Sequence, residues 1–166
     1  MGALSETRQV TLVDCDVEEP NLHLFFSQDQ PETTPVTVPV PSIDRKRCTF
    51  CGECAGFCVY GALVVTKDRV VFFPEHCHSC GGCSLVCPVG AIGEIQHPIG
   101  TITTRQVSDH LHLVTGTFHE GEVLSVKVIR EVKNMVEKPG WLMYDASPEH
   151  RVRLSRLCRD PTSASW

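Results

Sequence analysis

The sequence predicts a cysteine-rich α+β domain inserted in an incomplete α/β domain built on a parallel sheet. Three observations predict it. Eight of the ten cysteines fall in two copies of one pattern. The stretches on either side of that pattern read as strand, then helix, then strand. The apolar flanking strands lack polar alternation, as strands covered on both faces do.

Along the chain, RQVTLVDCD comes first, and Val10, Thr11, Leu12 and Val13 form a continuous apolar and β-branched run. That run predicts a strand. Residues 27–42 (SQDQPETTPVTVPVPS) contain four prolines and no helical period, which predicts a linker or extended connection. The repeat then occupies residues 43–95. Within it, Ala62–Thr66 and Arg69–Phe73 flank Lys67-Asp68, a hairpin pattern. Leu111 and Leu113 alternate with His110 and His112, predicting a short strand. From Glu122 to Lys138, Val123, Val126, Ile129, Val132 and Val136 follow helical spacing, and Lys138-Pro139-Gly140 ends the helix. Trp141–Tyr144 reads as a second buried strand ending at Asp145. The expected division is 1–42, 43–95 and 96–148, with 149–166 an arginine-rich tail expected to be disordered.

The repeat is strict. Cys48, Cys51, Cys54 and Cys58 recur 29 residues later as Cys77, Cys80, Cys83 and Cys87, and Gly52, Gly61 and Ala62 recur as Gly81, Gly90 and Ala91. A C-x2-C-x2-C-x3-C run aims three thiolates from one tight loop at three corners of a cube. The fourth leaves on a short helix, cannot easily bend back, and reaches the other cube, the exchange expected in two-cluster ferredoxins. One cluster is therefore assigned to Cys48, Cys51, Cys54 and Cys87. The other takes Cys77, Cys80, Cys83 and Cys58. Zinc is the competing metal, but its sites usually pair one C-x2-C with a distant second pair, and two triplets with trailing cysteines fit that poorly. The segment resembles the bacterial-type two-[4Fe–4S] ferredoxins. Pro88 follows Cys87 as usual there, whereas Val59 follows Cys58. His76 and His78 are expected to be exposed rather than ligands, and Cys15 to be a small buried residue.

The flanks carry a second resemblance. VTLVDCDVEEPNLHLFF, with Asp14, Asp16, Pro20 and Asn21, and the later Asp145, Ser147 and Pro148 resemble the MinD/ParA-like deviant-Walker P-loop ATPases, most closely those carrying an inserted ferredoxin domain. The resemblance implies a P-loop-type α/β domain around the insert, with Asp14 and Asp16 near the γ-phosphate and Asp145 orienting Mg2+. It implies an ATPase-type homodimer, or a partner chain completing the sheet. Two features depart from it: no glycine is followed by lysine, so the phosphate-gripping loop is missing, and Glu149 stands where the family has glycine. The chain looks like the middle of a larger ATPase, cut at both ends. Mg-ATP is not expected to bind it. By themselves, the residues D-x-D after a strand read more often as a turn or a helix cap.

Composition narrows the classes further. Arg151, Arg153, Arg156 and Arg159 against Asp160 give residues 151–166 a balance of +3; with −5 over the whole chain, −8 remains on residues 1–150, which argues against nucleic acid. No stretch is long and apolar enough to span a membrane, and no export signal is visible. Ten cysteines without export point to metal rather than disulfides, in a reducing cytoplasm. The expected function is electron transfer to a redox protein partner through two [4Fe–4S] clusters. The alternative is a fragment of a MinD-like ATPase whose insert couples redox state or cluster transfer to nucleotide binding.

Overall fold

The computed structural model describes residues 9–26, 31–136 and 140–146. Expectations for 147–166, including Ser147, Pro148, Glu149 and the arginine-rich tail, lie outside the described residues. Seven strands are described: β1 (Val10–Asp14), β2 (Glu32–Ile43), β3 (Leu63–Val65), β4 (Val70–Phe72), β5 (Ile92–Ser108), β6 (Leu111–Phe118) and β7 (Trp141–Asp145). The helices are α1 (Glu53–Phe57), α2 (Gly82–Leu85) and α3 (Ser125–Asn134). Two compact units are present. One holds the described residues of Met1–Val36, Gly100–His119 and Ser125–Trp166, the other Thr37–Ile99 and Glu120–Leu124. Strands β2 and β5 contribute residues to both.

In the first unit, β1 lies between β6 and β7 and is parallel to both. The five-stranded sheet has the order β2-β5-β6-β1-β7. It is mixed rather than parallel throughout, because β5 runs antiparallel to β6, with a bulge between Gln106 and Ser108. Strand side chains alternate between faces. On one face Val10, Leu12, Leu111 and Leu113 form a core completed by Leu22, Phe26 and Val107. On the other, α3 buries Val128, Ile129 and Val132. A Cβ on Gly116 would lie 2.6 Å from Val132 and 2.9 Å from Val17. Only a glycine there lets helix and sheet approach so closely.

Several sequence expectations change here. Of the proline-rich stretch, residues 32–42 belong to β2, an edge strand, and residues 27–30 lie outside the described residues. Proline lacks the N–H of an interior ladder but is tolerated at an edge, so Pro35, Pro39 and Pro41 fit. Strand β7 was expected to be buried and is the opposite edge: Trp141 is 51% exposed. The predicted short strand at Leu111 continues to Phe118, and β5 had not been anticipated. Helix α3 begins only at Ser125, so Glu122 lies in the preceding loop, and the expected Lys138-Pro139 stop lies outside the described residues.

The second unit is built on the cysteine repeat. Strands β3 and β4 pair as the expected antiparallel hairpin, with Val64 opposite Val71. Cys54, Leu63 and Ile92 form its buried centre, with Ile43, Val65, Val70, Phe72, Cys83 and Cys87 packed around them.

Candidate metal centres

The two halves of the repeat have the same backbone. Phe50 and Ser79 are both left-handed, at φ 56° and 52°, and so are Gly52 and Gly81, at 87° and 72°. Alternation of this kind curls a loop so that successive peptide N–H groups point inward, a concavity suited to anions. Glycine adopts the second position without cost, whereas Phe50 and Ser79 store strain. Each curl starts a short helix, Gly52 before α1 and Gly81 before α2. Cys54 and Cys83 sit in those helices. Cys58 follows α1, its N–H bonded to Cys54 O at 3.2 Å, and Cys87 follows α2.

The helices carry the fourth cysteines away from their own loops. Cys48, Cys51, Cys54 and Cys87 line one cavity, with Ile43, Val65 and Ile92 among its apolar walls. Cys58, Cys77, Cys80 and Cys83 line a second, walled by Pro39, Pro41, Phe57 and Leu63. All eight sequence-predicted cysteines thus fall into two sets of four, and in each set the fourth comes from the other copy of the repeat.

The electrostatics follow this grouping. Burial pushes the thiols of Cys54, Cys77 and Cys83 above the ordinary cysteine range. Neighbouring sulfurs add to the rise: Cys48 and Cys51 act on Cys54, and Cys58 and Cys80 on Cys77. Cys87 moves the other way, chiefly because Ala91 N–H donates to its Sγ at 3.2 Å. Deprotonation of the buried sulfurs therefore needs a compensating positive charge, which a bound metal would supply.

The donor pattern discriminates between metals. Four thiolates at about 2.3 Å from a zinc ion leave no room among them. Here each cavity is lined by three cysteines of one copy of the repeat and a fourth from the other copy. Among the described residues, no three His, Cys, Asp or Glu converge as one ion requires. Ser79 Oγ, in the wall of the second cavity, is buried without a hydrogen-bond partner, a donor well suited to a sulfide. The donor set fits a multi-atom iron–sulfur group.

Comparison with known proteins agrees. A family model described as a 4Fe-4S dicluster domain matches residues 40–88. An uncharacterized ferredoxin of Methanocaldococcus jannaschii is 39% identical over 54 residues, 30% of this chain and 70% of the relative. The chain belongs to the dicluster 4Fe-4S ferredoxin family. It is an iron–sulfur protein whose dicluster domain is of the two-[4Fe–4S] kind. Two further relatives are matched over a smaller share of their own lengths. An uncharacterized protein of the same organism is 30% identical over 77% of this chain, which spans 45% of that relative. The pyruvate synthase subunit PorD of Methanothermobacter marburgensis is 35% identical over 31% of this chain, which spans 60% of it.

The other singled-out residues are placed as follows. His76 and His78 are exposed, and His78 stacks on Tyr60 with ring centroids 3.7 Å apart. Cys15 is fully buried. Asp14 and Asp145 are register partners at the carboxyl ends of β1 and β7. Asp14 is fully buried and accepts N–H bonds from Asp16 at 3.2 Å and from Asn21 and Leu22 at 3.0 Å each. Burial raises its pKa, Asp145 raises it further, and the three N–H donors oppose them. Its carboxylate organises the loop after β1. Asp16 joins that loop through its backbone. Sequence reasoning missed Arg47 and Glu94, whose charged heads lie beside Gly90 and Gly81 of the cysteine repeat. Nothing local in the sequence marks those contacts.

Among the described residues, no helix is long and apolar enough to cross a membrane.

Proposed function

We propose that this chain passes single electrons to a redox protein partner. Cys48, Cys51, Cys54 and Cys87 hold one cluster, and Cys77, Cys80, Cys83 and Cys58 hold the other. The observation that carries this reading is the partition of the cysteines between two cavities, four to each, with the fourth exchanged. The polyferredoxin protein MvhB and the PorD subunit among the relatives support a protein partner. The clusters supply the one-electron chemistry, and the chain supplies ligands, burial and hydrogen bonds. Anaerobic reconstitution followed by iron and sulfide counting tests the reading: about eight of each per chain are expected. Stoichiometric zinc with no iron–sulfur absorption would sink it.

A second reading is favoured by Asp14 and Asp145. Two carboxylates ending adjacent parallel strands suit a ligand crevice, as in a MinD-like ATPase domain into which the cluster domain is inserted. Cluster redox state or cluster transfer would then couple to nucleotide. Calorimetric titration with Mg-ATP, on chain with full iron content, decides between them. Micromolar binding weakened by Asp145→Ala supports the ATPase reading, and absence of heat overturns it for this chain.

A further inference from the structure

Two side chains of opposite charge lie against the two ligand loops. A Cβ on Gly90 would come within 3.2 Å of the Arg47 guanidinium, and Arg47 Nη2 donates to Val89 O at 2.8 Å. Val89 lines the cavity of Cys48, Cys51, Cys54 and Cys87. A Cβ on Gly81 would come within 3.2 Å of Glu94 Oε1. Both Gly81 and Glu94 line the cavity of Cys58, Cys77, Cys80 and Cys83. Neither Arg47 nor Glu94 is ion-paired among the described residues.

Other groups reinforce the contrast. Ala91 N–H donates to Cys87 Sγ, and among the described residues no such bond joins the equivalent Ala62 to Cys58. Glu122, bonded to His97 Nε2 at 2.8 Å, acts electrostatically on Cys77. Glu53 also lines the first cavity and, like Arg47 and Glu94, is exposed. Arg45, Lys46 and Arg47 on the adjoining turn outnumber Glu53 and Asp44.

A positive charge beside a redox centre stabilises its reduced, more negative form, and a negative charge destabilises it. Hydrogen bonds to ligand sulfur act like the positive charge. We propose that Arg47 and Glu94 set the two centres apart in potential, the centre beside Arg47 being the more readily reduced. An electron delivered by a low-potential one-electron donor therefore comes to rest at the Arg47 end and leaves from there to an oxidised protein carrier. One electron moves from the Glu94 side to the Arg47 side, and no bond forms or breaks. The inference rests on the ligand sets proposed above.

The test is a redox titration followed by paramagnetic resonance, on full chain reconstituted anaerobically, with signals assigned through Cys51→Ser and Cys80→Ser. Arg47→Gln should lower the potential of the first centre alone, and Glu94→Gln should raise that of the second alone. Each shift should correspond to about a three- to tenfold change in the one-electron equilibrium, tenfold being ~59 mV. Arg47→Lys keeps the charge and should stay near the unmodified value. Potentials unmoved in both Gln variants, moved alike, or moved with reversed sign overturn the inference while leaving the two-cluster reading standing. Failure of the unmodified chain to take up iron and sulfide overturns both.

Discussion

Cys58 and Cys77 line one cavity, although Cys54, at the other end of the helical turn from Cys58, lines the other. A helix as short as α1 separates the two sulfurs of its own loop more effectively than it separates the two halves of the repeat. Cys58→Ala should therefore destroy the cluster of Cys77, Cys80 and Cys83 and spare that of Cys48, Cys51 and Cys54. About half of the iron should be lost. Paramagnetic resonance of the reduced variant separates the outcomes, and loss of the other signal alone would contradict the exchange.

Gly116→Ala should destabilise the first unit. The new methyl would enter the space of Val132 and Val17, where helix and sheet are already in contact. Overpacking of this kind costs about 1–3 kcal/mol. A lower urea midpoint with an unchanged slope is the expected result.

Tyr60 and His78 stack on the rim of the cavity that holds Cys58, Cys77, Cys80 and Cys83. The pair forms part of the cavity wall, and the surroundings of a metal site control solvent access to it. Tyr60→Ala should speed loss of visible absorption in air several-fold. Tyr60→Phe, which keeps the stacked ring, should not.

Asp14 should titrate above 3.8, because burial and then Asp145 disfavour its charge. Between 3.8 and its folded value the native chain binds more protons than the unfolded one. Its contribution to stability therefore falls as pH rises through that window. Asp145→Asn removes the repulsion and should lower the Asp14 pKa, while burial keeps the remaining shift upward. Carboxyl carbon resonances of the labelled folded chain, followed against pH, report both. A rise on Asp145→Asn would contradict the arrangement.

How much of this was legible in the sequence differs from element to element. The grouping of the eight cysteines around two cavities could be read because each triplet is local, and the stiffness of one helical turn decides where the fourth sulfur goes. Strand β1, the β3–β4 hairpin and the apolar face of α3 follow from short-range periodicity. Strand β5 does not, because Gly93, Pro98 and Gly100 interrupt any pattern along its 17 residues. Strand β2 was hidden by its prolines, whose meaning depends on lying at an edge. The sheet's antiparallel member escaped for a similar reason, since strand direction is set by long-range pairing. Arg47 and Glu94 lie far in sequence from Gly90 and Gly81, and only the folded chain brings them together.

The two edges of the sheet are chemically unlike. Strand β2 presents Pro35, Pro39 and Pro41, whereas β7 presents Trp141, Met143 and Tyr144, each more than a third exposed. Prolines leave gaps in a donor row, so among the described residues an incoming strand finds an incomplete template at β2 and a continuous one at β7. A sheet with one receptive edge grows in one direction only. If two copies meet there, each uses up the other's open side, and the assembly closes on a two-fold axis instead of continuing as a filament.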